Sequence, residues 1–188
     1  MRLALLLSTL LFAPLAAAEP DARLLADLRQ GGYVLFLRHA STDFSQDDSR
    51  MTSFEDCATQ RNLTDQGRAE ARALGEHLRR LKIPIGEVLA SPFCRTMETA
   101  RLAFGKARAT NEVRGGPLSA DDPKRYQPLR KLLATKPLAG SNTVLSSHGN
   151  PFRAVAGPPY LAEGEIAVVR PEGGERFSVV ARIRLADW

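Results

Sequence analysis

The sequence predicts an α/β fold: a doubly wound, mostly parallel sheet with helices on both faces and a C-terminal antiparallel hairpin at its edge. Three observations predict it. Short apolar runs of strand-forming residues recur at residues 33–37, 86–90 and 143–147. Between them apolar residues return at helical spacing, and such alternation builds a parallel sheet covered on both sides. The final segment, IAVVRPEGGERFSVVARIRL, reads instead as two strands joined by a Gly-Gly turn.

Residues 1–18 stand apart from this pattern. MRLALLLSTLLFAPLAAAEP has one early positive charge, a short apolar run, Pro14 and an A-x-A pattern ending at Ala18. That is the layout of a secretory signal peptide cleaved after Ala18. The run is broken by proline and falls short of the roughly 20 residues a spanning helix needs, so no stable membrane insertion is predicted. Residues 19–188 are expected to form a single domain, periplasmic or secreted, because this length holds one substantial core and not two.

The elements follow in order. Residues 21–30 make a short amphipathic helix with Leu24, Leu25 and Leu28 on one side, closed by Gly31 and Gly32. The strand at 33–37 is apolar on both faces, as within a parallel sheet. A polar loop, 41–62, follows; it is long for a compact domain, where such loops are often functional. Thr64 or Asp65 caps the next helix, which repeats Ala71, Leu74, Leu78 and Leu81. The strand at 86–90 runs into SPFCRTMETARLAF, where Ser91 suits the N-cap and Pro92 the first helical position. A further helix covers 124–133, and the strand at 143–147 ends at His148, where GNPFRAVAG opens another helix.

Composition narrows the partners. A net charge of +5 favours anionic ligands. The basic residues are dispersed and aromatics make up only 6%, so base stacking on nucleic acid is not predicted. Two cysteines, Cys57 and Cys94, fit an oxidising compartment and are expected to pair. Two isolated cysteines lack metal-ligand spacing, and no H-E-x-x-H motif is present, so no metal is expected.

In doubly wound sheets ligands bind beyond the carboxyl ends of the strands. There this chain places Arg38 and His39, then the segment from Ser91 to Arg95, then His148. His77, on a helical face beside Glu76 and Arg79, reads as an ordinary structural histidine.

The segments LRHAST, SPFCRTMETA and SSHGNP, in this order, resemble the histidine phosphatase superfamily, also called phosphoglycerate mutase-like. Its hallmark Arg-His-Gly carries Ala40 in third place here, as in the family's small phosphatases. The resemblance spans about residues 32–157. It implies that His39 is the nucleophile that becomes phosphorylated and that His148 is the second histidine of the pocket. Arg38 and Arg95 match the arginines that hold phosphoryl oxygens. Arg61, in RNLT, matches a further phosphate-facing arginine, and Asn150, in HGN, a position near the phosphate. Physical chemistry agrees: phosphoryl transfer is catalysed mainly by positioning and charge stabilisation, which guanidinium forks supply without a cofactor.

The acid that protonates the leaving oxygen is the open position. One branch of the family has it directly after the second histidine, where this chain has Gly149. Mutase-like members carry a glutamate after the SPFCRT helix, a region that here holds Glu112, Asp121 and Asp122. Glu163 and Glu165, in LAEGE, are further candidates, and Glu163 is preferred. Together with the leader, the resemblance implies an exported, metal-independent phosphatase that hydrolyses phosphomonoesters through a phosphohistidine. The alternatives are a phosphoglycerate mutase-type phosphotransferase and a protein that binds phosphorylated ligands without turnover. The expected partner is a small phosphorylated substrate, with a phosphosugar or the lipopolysaccharide core as candidates.

Overall fold

The computed structural model describes residues 21–114 and 124–187. The leader at 1–18 and the acid candidates Asp121 and Asp122 lie outside the described residues. Among the described residues six strands form one sheet: β1 (Val34–Arg38), β2 (Ile85–Ala90), β3 (Arg108–Ala109), β4 (Asn142–Ser147), β5 (Ile166–Gly173) and β6 (Arg176–Ile183). Their order is β3-β2-β4-β1-β5-β6. The first four are mutually parallel, whereas β5 runs antiparallel to β1 and β6 pairs antiparallel with β5 as the edge hairpin.

Five helices among the described residues cover both faces: α1 (Ala22–Gln30), α2 (Asp65–Arg80), α3 (Cys94–Phe104), α4 (Gln127–Ala134) and α5 (Gly149–Ala156). The alternation within β1 separates two cores. Leu35 and Leu37 join Leu28, Leu74, Leu78, Met97 and Ala100, beneath α1, α2 and α3. Val34 and Phe36 join Leu129, Leu133 and Phe152, beneath α4 and α5. Each fully buried leucine contributes about 1.5–3 kcal/mol, so both faces hold β1 rigidly at the centre of the sheet. No helix among the described residues is long and apolar enough to cross a membrane.

The helix starts mostly follow the sequence. The Asp21 carboxylate accepts the Arg23 N–H at 3.0 Å to cap α1, and the Thr64 hydroxyl accepts the Gly67 N–H at 2.9 Å to cap α2. Gly67 lies so close to the chain leaving β1 that a Cβ there would stand 2.1 Å from the Ser41 carbonyl oxygen, which brings α2 against the loop behind β1. The start of α3 departs from expectation. It begins at Cys94, and Ser91 is not its cap, because the Ser91 N–H is still bonded to Ser146 O at 2.9 Å and its hydroxyl points elsewhere. Helix α4 likewise starts at Gln127 rather than 124. The two-residue β3 is too short to leave a periodic signal in the sequence.

Candidate active site

Register brings the site together. In the parallel pairing Arg38 lies opposite Ser147, so the next residue of each strand, His39 and His148, leave the sheet side by side. Their rings stand 5.5 Å apart at 67°. On the other flank of β4, Ala90 pairs with Ser146, and the hydroxyl of the next residue, Ser91, reaches His148.

His39 is buried, and its N–H is anchored on Ser147 O at 3.0 Å. Its Nδ1 lies 2.9 Å from the carbonyl oxygen of Ala40, an atom that can only accept, so Nδ1 carries the hydrogen and Nε2 keeps its lone pair. Burial is the main cause that lowers its pKa to about 3; the Ala40 bond opposes, and Arg95, Arg38 and Arg61 lower it further. The imidazole is thus a neutral base at neutral pH. Desolvation outweighs the neighbouring arginines here. His148 is also held neutral, by burial first and then by Arg95, and its Nε2 lies 2.9 Å from Ser91 Oγ.

Three guanidiniums gather around the two rings. Arg38 donates from Nη1 to Leu161 O at 2.6 Å and from Nη2 to Glu163 at 3.4 Å, and it lies 5.1 Å from the Tyr160 ring. Arg95, buried on the first turn of α3, packs over Phe93 and forms a two-point bridge to Asp48 at 2.9 and 3.0 Å. Arg61 gives its backbone N–H to the same Asp48 carboxylate at 2.9 Å, and its carbonyl accepts from Arg95 at 3.2 Å. The Nε donors of Arg38, Arg61 and Arg95 are all buried without a partner. An unpaired buried donor is costly, and donors left without partners on these three cations suit an anionic ligand.

Arg61 and Asp48 belong to the long loop 41–62, which is fastened to α3. Cys57 and Cys94 form a disulfide with Cα atoms 5.8 Å apart. The Gln60 side chain accepts the Cys94 N–H at 2.9 Å, and Phe54 stacks edge-on to Phe93. The loop is therefore part of the site.

The carboxylate candidates separate. Glu163 accepts from the Thr42 N–H at 3.1 Å and the Thr42 hydroxyl at 2.8 Å besides Arg38, and it comes within 3.9 Å of His39 on the Nδ1 side. Its turn is pinned by the Gly164 N–H, which donates to His39 O at 2.9 Å. Glu165 turns away to the Ala162 N–H, and Glu112 is exposed beside Thr110. Asn150 lies at the start of α5, where its side-chain oxygen accepts the Tyr160 O–H at 2.6 Å. No group of three His, Cys, Asp or Glu side chains among the described residues is arranged to hold a metal ion. The sequence alone does not reveal the roles of Asp48, Ser91, Thr42 or Tyr160; only their contacts across the fold do.

A family model described as histidine phosphatase superfamily (branch 1) matches residues 34–116. A search of curated proteins finds no match. Among solved structures, the protein histidine phosphatase SixA complexed with tungstate is 21% identical with a TM-score of 0.58, covering 82% of this chain and 98% of that one. A putative phosphohistidine phosphatase SixA from Agrobacterium tumefaciens is 17% identical with a TM-score of 0.55, covering 81% and 97%. A mycobacterial glucosyl-3-phosphoglycerate phosphatase is 18% identical with a TM-score of 0.54, covering 74% and 90%. The stretch that carries His39, Arg61 and Arg95 thus matches the histidine phosphatase superfamily model, and the fold is shared with the SixA structures over about four fifths of the chain.

Proposed function

We propose that this chain is an exported phosphatase that hydrolyses small phosphomonoesters through a phosphohistidine at His39, without a metal ion. The observation that carries the proposal is the neutral His39, with Nδ1 held by Ala40 and Nε2 free, set among three arginines whose buried Nε donors lack partners. Nε2 attacks phosphorus, the P–O bond to the leaving alcohol breaks, and the phosphoryl group moves to His39. Water then attacks the phosphohistidine, which releases inorganic phosphate and restores the ring. Arg38, Arg61 and Arg95 bind the phosphoryl oxygens and stabilise the charge that builds up in both steps. Against the carboxylates of Asp48 and Glu163 these three cations leave the site net positive, which suits a phosphomonoester dianion.

Glu163 already accepts bonds from Arg38 and Thr42, so its role is to hold Arg38, and the leaving oxygen takes its proton from solvent. The rim favours a leaving group with an apolar face, such as a phosphosugar or a phosphorylated lipopolysaccharide core. Phe44, 72% exposed, lies against Arg61, and Tyr160, 40% exposed, lies against Arg38. Sugar rings pack their C–H faces on such aromatic surfaces.

Phosphate release from a panel of sugar, alkyl and aryl phosphates, with a chelator present throughout, tests the proposal. Turnover that persists with the chelator and disappears in His39→Ala supports it. Turnover that needs an added metal, or that survives in His39→Ala, contradicts it.

A further inference from the structure

We infer that Ser91 is a positioning residue that fixes the tautomer of His148, so that a neutral imidazole presents an N–H from Nδ1 to the phosphoryl group. The consequence for phosphate rests on the phosphatase reading; the tautomer itself does not.

The inference starts from one hydroxyl. Ser91 is fully buried, and its Oγ has His148 Nε2, at 2.9 Å, as its hydrogen-bond partner among the described residues. A buried O–H that does not donate carries a desolvation cost, so the Ser91 hydrogen goes to Nε2. Nε2 is then the acceptor, and the one hydrogen of the neutral ring sits on Nδ1. The opposite arrangement, Nε2–H donating to Ser91, strands the serine hydrogen. It also aims the Nδ1 lone pair at an incoming oxyanion, which is repulsive.

The two histidines need different chemistry from the same side chain, and the fold supplies a different partner to each. His39 is paired with a carbonyl, which can only accept and so frees a lone pair for attack. His148 is paired with a hydroxyl, which here donates and so frees an N–H for binding. The backbone of Ser91 is tied down on both sides. Its N–H is bonded to Ser146 O at 2.9 Å, and its carbonyl accepts the Thr96 hydroxyl at 2.7 Å. The Phe93 ring, 5.0 Å from His148 and nearly perpendicular to it, fixes the tilt of the imidazole. Burial and the neighbouring arginines keep His148 uncharged, which is why its tautomer matters.

The tautomer is read directly by nitrogen NMR of the histidine rings in the free protein at neutral pH. The wild type should show the hydrogen of His148 on Nδ1, and Ser91→Ala should lose that preference. Inorganic phosphate, titrated into both proteins, should bind roughly tenfold more weakly to Ser91→Ala, with partial recovery in Ser91→Cys, which keeps a weak donor on a somewhat larger side chain. A wild-type His148 with its hydrogen on Nε2 overturns the inference without any variant. So does a folded Ser91→Ala protein with unchanged tautomer and phosphate affinity. Nδ1–H in a wild type that binds no phosphate upholds the tautomer and counts against the phosphatase reading instead.

Discussion

Replacing both cysteines of the Cys57–Cys94 disulfide by serine should weaken the fold and the phosphate site together. The bridge spans a sequence separation of 37 residues. Loop-closure entropy for a loop of that size corresponds to about 4 kcal/mol of stability drawn from the unfolded chain. For a domain of this length each kcal/mol moves the melting temperature by about 2–4 °C, so the double variant should melt roughly 8–15 °C lower. The site should feel the loss because the bridge ends one residue before Arg95 and four before Arg61. Thermal unfolding by circular dichroism reads the first effect. Steady-state phosphate release at a temperature where both proteins are folded reads the second, as a rise in KM larger than any fall in kcat. A melting temperature within about 2 °C of the wild type would refute the stability reasoning. A large drop in stability with KM unchanged would show that the loop holds Arg61 in place without the bridge.

Three further outcomes are expected. Asp48→Asn leaves the buried Arg95 without its two-point counter-ion beside the Arg61 backbone, and should cost about 1–3 kcal/mol of unfolding free energy, read by urea titration, while raising KM. The pH dependence of stability follows from the two imidazoles. Both bind protons in the unfolded chain near the ordinary value of 6.5 but resist them when folded, His39 down to about 3. Between those limits the unfolded state binds more protons, so stability falls as pH drops below about 6.5, at a slope of about 1.4 kcal/mol per unit for each ring; urea titrations at stepped pH measure it, and a flat profile from 7 to 5 contradicts it. Glu163→Gln should slow aryl and alkyl phosphates by the same factor, about tenfold, if Glu163 only holds Arg38. A loss confined to alkyl phosphates, whose leaving oxygens need a proton, would identify it as the acid.

The sequence makes His39, His148, Arg38 and Arg95 visible because each follows a strand of apolar residues, and the C-terminal ends of parallel strands converge wherever the sheet is closed by hydrogen bonds. The hairpin is equally legible from its alternation and its Gly-Gly turn. What stays hidden depends on distant partners. Asp48 is one of several aspartates in a polar loop, and nothing local marks it as the counter-ion of Arg95, 47 residues away. Ser91 before Pro92 has the local chemistry of a helix cap, yet β2 continues through its N–H and the hydroxyl is drawn to His148 instead. The acid candidates look alike as isolated carboxylates, and only the antiparallel return of β5 beside β1 puts Glu163 on Arg38 while Glu165 faces its own turn.

The proposed chemistry rests on a covalent step at one imidazole nitrogen. Rapid quenching of the protein during turnover of a radiolabelled phosphomonoester, followed by hydrolysis in acid and alkali, looks for that bond. A label on His39 that is lost in acid, survives alkali and is missing from His39→Ala is what the geometry predicts. Phosphate released at full rate with no labelled protein at any time would mean that water attacks the substrate directly and that His39 is not the nucleophile.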